Sequence, residues 1–101
     1  MTARAKRTST KRINKMEQAY AFGLEARKRK GEIKQYWYEG ITLKLGPDCR
    51  YTPDFLVQLA DDTLELHEVK GHWRDDAKVK LRVCVAMYPF PVFVNGKAWA
   101  G

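Results

Sequence analysis

Residues 54 to 70 hold two β-favouring runs, Asp54 to Leu59 and Leu64 to Lys70, separated by the turn-forming stretch Ala60-Asp61-Asp62. Short runs with a tight polar break between them commit this part of the chain to a β-hairpin. A hairpin returns the end of its second strand to the start of its first. Alternation then sorts the side chains: Leu64, Leu66, Glu68 and Lys70 share one face of the returning strand, and Glu65, His67 and Val69 share the other. Glu68 and Lys70 therefore close an otherwise apolar face, opposite the strand start where Asp54 lies. Charges so placed are costly to desolvate unless they pair or hold an ion.

The segments on either side predict the elements that enclose this hairpin. Asn14 is an N-cap and Glu17, three residues on, completes a capping-box pattern. Met16, Ala19, Tyr20, Phe22, Gly23 and Leu24 form the apolar stripe of the helix that follows. Arg27, Lys28, Arg29 and Lys30 suit its negative end, and Gly31 stops it. Ile33 to Leu45 reads as a strand pair or one strand bent around Gly40, and Gly46-Pro47-Asp48 as a turn. Helical periodicity resumes after Asp75 with Ala77, Val79, Leu81, Val83, Cys84 and Met87, and Pro89 closes it. Phe90 to Val94 is a last short strand, and the tail after Asn95-Gly96 carries no pattern. This order of helix, three strands, helix and strand predicts the α/β class, with a mixed central sheet flanked by helices. Residues 1 to 12, basic and rich in Thr and Ser, read as a flexible arm, and 13 to 101 as a single domain.

Nineteen Lys and Arg against twelve Asp and Glu give a net charge of +7 on 101 residues. A domain this small with that excess has the footprint of a nucleic-acid binder. A membrane partner is the weaker reading, because no apolar run approaches the roughly 20 residues that span a bilayer. Cys49 and Cys84 form no metal-binding motif and read as idle thiols of a reducing compartment, with a single disulfide as the alternative. The first residues lack the apolar stretch of a signal peptide, so the expected location is intracellular.

Asp54 and Glu68 supply two hard oxygen ligands that suit Mg²⁺ or Mn²⁺, and Lys70 beside them can steer or polarise a water. In a basic chain the substrate that best fits such a site is a phosphodiester backbone. Taken one by one, Asp54 reads as a turn cap after Pro53, and Glu68 and Lys70 as solvated strand-end charges; their order and the size of the hairpin favour the site. Glu17 has two readings, a capping residue and a third carboxylate reaching the site from the first helix. Glu39 lies on a strand near the site, whereas His67 faces away from Glu68 by parity. The candidate DNA contacts are Lys11 and Arg12 of the arm, Lys15, His72 and Arg74, together with Lys78 and Arg82, which are four apart on one helix face. Lys80 belongs to the same run as Arg74, Lys78 and Arg82, for which a solvated helix face is the alternative, and His72 reads otherwise as a plain loop histidine. Trp37, Tyr36, Tyr38 and Trp73 read as core or as base-stacking residues.

At Pro53-Asp54 and Glu68-Val69-Lys70 the chain resembles the PD-(D/E)XK nuclease superfamily, whose restriction-endonuclease-like αβββαβ core has the element order predicted here. Within it the chain is similar to the endonuclease I-type Holliday junction resolvases of phages, through Tyr51-Thr52-Pro53-Asp54-Phe55-Leu56, Glu68-Val69-Lys70-Gly71, Trp73 and Asp75. The stretch through Asp76, Lys78 and Lys80 also looks like a family of small phage resolvase-like proteins. The similarity covers about residues 50 to 89, with a weaker extension back to Glu17. It implies that Asp54, Glu68 and the main-chain carbonyl of Val69 hold a Mg²⁺ or Mn²⁺ ion, that Lys70 is the catalytic lysine, and that Glu17 is the acid of the first helix. A further acid of those resolvases aligns with Trp37, with Glu39 two residues later.

The implied protein is a metal-dependent endodeoxyribonuclease, a hydrolase of branched DNA in phage recombination, located in the cytoplasm of an infected or lysogenic bacterial host. No organic cofactor is expected. Paired cuts in a junction imply a homodimer, for which Ile41, Leu43, Leu45 and Trp37 are available unless they face their own helices. Only a short tail follows the last predicted strand, so no long junction-binding extension is expected. The alternatives are a nicking, flap or site-specific duplex nuclease of the same fold, and a non-catalytic DNA-binding module.

Overall fold

The computed structural model describes residues 3–5 and 13–99. Helix α1 (Lys15–Arg29) starts with the capping box that the sequence announces. The Asn14 side chain accepts from the Glu17 N–H at 2.8 Å, and Glu17 Oε1 accepts from the Asn14 N–H at 3.0 Å. The helix is capped at its C-terminus by Lys30, and Gly31 follows at φ +80°, a conformation that costs glycine nothing. Its buried face differs from the predicted stripe. Glu17 and Leu24 are buried and Tyr20 and Ala21 half-buried, whereas Met16 and Phe22 are exposed. Positions 17, 20, 21 and 24 are one helical face, and apolar character alone misses it because its first member is a carboxylate.

A strand β1 (Ala3–Ala5) precedes α1, and β2 (Ile33–Tyr38) and β3 (Ile41–Gly46) follow it. Strands β2 and β3 are not partners. Glu39 at φ 49° turns the chain, and Gly40 is packed so closely that a Cβ there would lie 2.6 Å from Trp37 Cβ. After this corner β3 leaves for a second sheet, pairing with β1 on one side and with β4 (Cys49–Tyr51) on the other. Residues 3–5 of the expected arm are therefore a paired strand. Lys11 and Arg12 lie outside the described residues.

The main sheet runs β2, β5 (Phe55–Leu59), β6 (Leu64–Glu68), β7 (Val92–Val94), β8 (Lys97–Ala98). Strands β2, β5 and β6 are antiparallel, and β7 joins β6 in parallel after a crossover through helix α2 (Asp75–Met87). The chain is thus of the α/β class with a mixed sheet. The sequence reading extended the hairpin strand to Lys70, but β6 ends at Glu68. The tail after Asn95-Gly96, read as featureless, begins with β8, and Asn95-Gly96 is the two-residue turn of the β7–β8 hairpin, with φ of 51° and 83°. Asn-Gly with both residues at positive φ is the signature of a type I′ turn.

Side-chain parity places one helix on each face of the main sheet. Phe55, Val57 and Val69 point towards Leu24 of α1. Leu66, Val92 and Val94 point towards Leu81 and Cys84 of α2, together with Leu43, Leu45 and Tyr51 of the smaller sheet. Each large apolar side chain fully buried here contributes about 1.5–3 kcal/mol. Leu43 and Leu45, considered for a dimer face, belong to this second core, and Ile41 packs against it. Trp37 keeps 41% of its surface exposed. Cys49 and Cys84 are free thiols, and burial raises the Cys84 pKa to about 11. No helix among the described residues is long and apolar enough to cross a membrane.

Candidate active site

Register brings the hairpin charges together. Phe55 pairs with His67 across β5 and β6, so one step further Asp54 stands opposite Glu68. Both are buried, and each is held by hydrogen bonds from the backbone of the other's strand. Glu68 Oε1 accepts from the Asp54 N–H at 3.1 Å, and Asp54 Oδ2 accepts from the Val69 N–H at 2.9 Å. Glu68 Oε1 also accepts from the Tyr51 hydroxyl at 2.5 Å, while Glu68 Oε2 lies 3.5 Å from Lys70 Nζ. Asp54, Glu68 and Lys70 thus converge as the hairpin requires, although Lys70 sits past the end of the strand.

Glu17 approaches from α1. Its Oε1 accepts from Asn14 N–H and from the Tyr38 hydroxyl at 3.1 Å, and its carboxyl group acts on that of Asp54. One side chain thus caps α1 and brings its charge to the Asp54 carboxyl, although Glu17 does not line the cleft over this corner. Three carboxyl groups in a buried corner lift the Asp54 pKa to about 7. Burial is the main cause, followed by the charge of Glu68; the Val69 N–H pulls the other way, and Glu17 adds to the rise. Burial and the Glu68 charge also raise Tyr51, which remains a hydrogen-bond donor.

Over this corner opens a cleft of about 270 Å³, lined by Asp54, Glu68, Lys70, Tyr51 and Thr52, with Glu39 and Arg50 from the segments around β3 and β4 and Asp76 and Lys80 from α2. Glu39 lines the cleft and Trp37 does not. Lys80 Nζ donates to the Arg50 carbonyl oxygen at 3.2 Å, which anchors a cation at the rim. Lys78, Arg82, Arg74 and His72 are outside this lining, and Arg74 Nε is 3.6 Å from Asp76 Oδ1. Lys15 is exposed at the start of α1. Sequence reasoning gave Arg50 and Tyr51 no role at the site, and left Lys80 in a basic run that either tracks phosphate or faces solvent. Helical spacing carried the signal for Lys80: Ala77, Leu81 and Cys84 face the sheet, and Lys80 borders that face.

A divalent metal is implied by the resemblance, and the donor chemistry can be tested against it. Among the described residues no group of three His, Cys, Asp or Glu side chains is spaced to hold a metal ion. The possible protein ligands are therefore the two carboxylates Asp54 and Glu68, with a main-chain oxygen such as that of Val69. One or two carboxylates with the remaining positions left to water or phosphate oxygens is the usual binding pattern of Mg²⁺, so the set fits. The Glu68 and Glu17 charges that add to burial in raising the Asp54 pKa are ones that such a cation would neutralise.

On the opposite face of β6 lies a second polar network. His67 Nδ1 is 2.5 Å from the Tyr20 hydroxyl, His67 Nε2 is 3.0 Å from Glu65 Oε1, and the ring stacks on Phe93. This agrees with the parity that turned His67 away from Glu68. Trp73 stacks on Trp99, and Tyr36 donates to Glu25, so these rings serve packing and hydrogen bonding.

Comparison with protein-family models, with curated proteins and with solved structures finds no match.

Proposed function

We propose that the chain is a Mg²⁺- or Mn²⁺-dependent DNA endonuclease of the PD-(D/E)XK type, acting on branched DNA as a homodimer. The observation that carries this reading is the meeting of two buried carboxylates, Asp54 and Glu68, with Lys70 in a cleft that has Lys80 and Arg50 at its rim. Asp54 and Glu68, with the Val69 carbonyl, would hold the ion. When bound, it supplies Lewis-acid polarisation of the scissile phosphodiester and lowers the pKa of a coordinated water. Lys70 orients the attacking water and balances charge developing on the phosphate. Arg50 and Lys80 attract the DNA backbone into the cleft, and Tyr51 holds the Glu68 carboxylate in register.

The deciding experiment is cleavage of cruciform plasmid, linear duplex and four-way junction DNA with Mn²⁺. Folded protein that cuts none of them sinks the enzyme reading. A preference for junctions over their linear arms below a few-fold moves the substrate to nicks, flaps or duplex sites.

A second reading, a DNA-binding module without catalysis, is favoured by the Glu68–Lys70 ion pair, which already neutralises one carboxylate without metal. It requires DNA affinity that falls steeply with salt and is indifferent to divalent cations. Calorimetric detection of a Mn²⁺ site that disappears in Glu68→Ala excludes it.

A further inference from the structure

Lys70 occupies an awkward place for a residue whose ammonium must be held to a fraction of an ångström. Strand β6 stops at Glu68, and the bend at Gly71 and His72 follows immediately, so Lys70 belongs to no regular element. The parallel ladder between β6 and β7 has its last pair at Glu68 and Val94. One residue beyond it, Asn95 takes over. Its backbone N–H donates to the Glu68 carbonyl oxygen at 2.8 Å. Its side-chain amide then makes two bonds to the backbone of Lys70: Oδ1 accepts the Lys70 N–H at 3.0 Å, and Nδ2 donates to the Lys70 carbonyl oxygen at 2.8 Å. A primary amide carries one acceptor and one donor group side by side, as a peptide unit does. Asn95 thus extends the ladder past the end of the strand with its side chain.

We propose that Asn95 is a positioning residue for Lys70. Holding both the N–H and the C=O of one residue fixes the direction of its Cα–Cβ bond, and hence the base from which the four-carbon lysine stem reaches Glu68 Oε2. The nearest other side-chain bond to this backbone is the one Asp54 Oδ2 accepts from the Val69 N–H, one residue before Lys70. The turn geometry suits the task. Asparagine tolerates the positive φ of 51° found here, and the following Gly96 at 83° completes the reversal that aims the amide back at β6. The inference rests on the nuclease reading for the role of Lys70; the clamp itself does not.

The test uses the full chain and two variants. Asn95→Gly keeps the positive φ and the backbone bond to Glu68 but deletes both amide bonds. Asn95→Asp keeps the acceptor for the Lys70 N–H and replaces the donor to its carbonyl with an oxygen. Cleavage with Mn²⁺ should fall about 10- to 100-fold in kcat for Asn95→Gly, since displacing a catalytic group by about 1 Å costs up to that factor. KM for DNA and the thermal midpoint should stay close to wild type, which a merely structural defect would not allow. Asn95→Asp should also lose activity. Hydrogen exchange of the Lys70 amide, measured without DNA, should accelerate at least tenfold in Asn95→Gly and less in Asn95→Asp. Wild-type kcat in Asn95→Gly, or a Lys70 amide that stays protected, overturns the proposal. Wild-type protein that cuts no DNA removes the nuclease reading and with it the catalytic role, while the exchange data still decide whether the clamp holds Lys70.

Discussion

The Tyr51 hydroxyl lies 2.5 Å from Glu68 Oε1, the oxygen that also accepts the Asp54 backbone N–H. The smaller sheet therefore holds a carboxylate of the main sheet in place. Tyr51→Phe leaves buried Glu68 with one donor fewer, which should cost roughly 1–3 kcal/mol of stability. Under the proposed function Glu68 is a metal ligand, and loss of the group that orients it should also weaken Mn²⁺ binding or cleavage by about 10- to 100-fold. Calorimetry and denaturant melts measure both. Unchanged Mn²⁺ affinity would reduce Tyr51 to a packing role.

Asp54 sets a pH dependence of the metal-free fold. Its folded pKa of about 7 lies above the unfolded value of 3.8, so the stability tied to its proton is complete below 3.8 and is lost as pH rises through 7. Asp54→Asn removes the charge. At pH 8 without metal it should be more stable than wild type by on the order of 1–2 kcal/mol, with the gap closing towards pH 5. The same variant should cut no DNA and still bind it. Mn²⁺ should raise the wild-type midpoint more at pH 8 than at pH 5 and have little effect on Asp54→Asn. Urea melts at the two pH values decide this.

His67 works in the other direction. Burial lowers its pKa below the ordinary 6.5, partly offset by Glu65, with Arg27 adding to the lowering. Its contribution to stability is complete above 6.5 and lost as pH falls towards the folded pKa. In the Asp54→Asn background, stability should therefore still decline on acidification below pH 6.5, and His67→Gln should flatten that decline. An unchanged slope in the double variant would refute the assignment.

Cleft position ranks the cations. Lys80→Ala and Arg50→Ala should each weaken DNA binding and lower the salt slope by about 1, as expected for loss of one phosphate contact. Lys78→Ala and Arg82→Ala should do less, because those side chains lie outside the cleft. Fluorescence titrations across a salt series give the order, and equal effects for all four would argue against binding through the cleft.

Junction cleavage calls for two chains. Light scattering at micromolar concentration on junction DNA should give a dimer, and Trp37→Ser or Phe22→Ser, which alter exposed apolar residues, should weaken it. A persistent mass near 11.7 kDa for the protein component refutes the dimer.

Local physics made the hairpin, the capping box at Asn14 and Glu17, the stop at Gly31 and the convergence of Asp54, Glu68 and Lys70 readable from the chain. Each depends on alternation, a turn or a cap over a few neighbouring residues. What the sequence left open depends on contacts between distant residues. The chain passes from β2 to the other sheet at the corner of Glu39 and Gly40, and no periodicity in Ile33 to Leu45 encodes which sheet a strand joins. The choice of Lys80 over Lys78 for the cleft came from the rotation of α2, which is set by Leu81 and Cys84 packing against the sheet. Tyr51 and Asn95 carry no signal of their own. Their polar atoms reach Glu68 and Lys70 only because a second sheet and a parallel strand, made from sequence 17 and 25 residues away, are folded against β6.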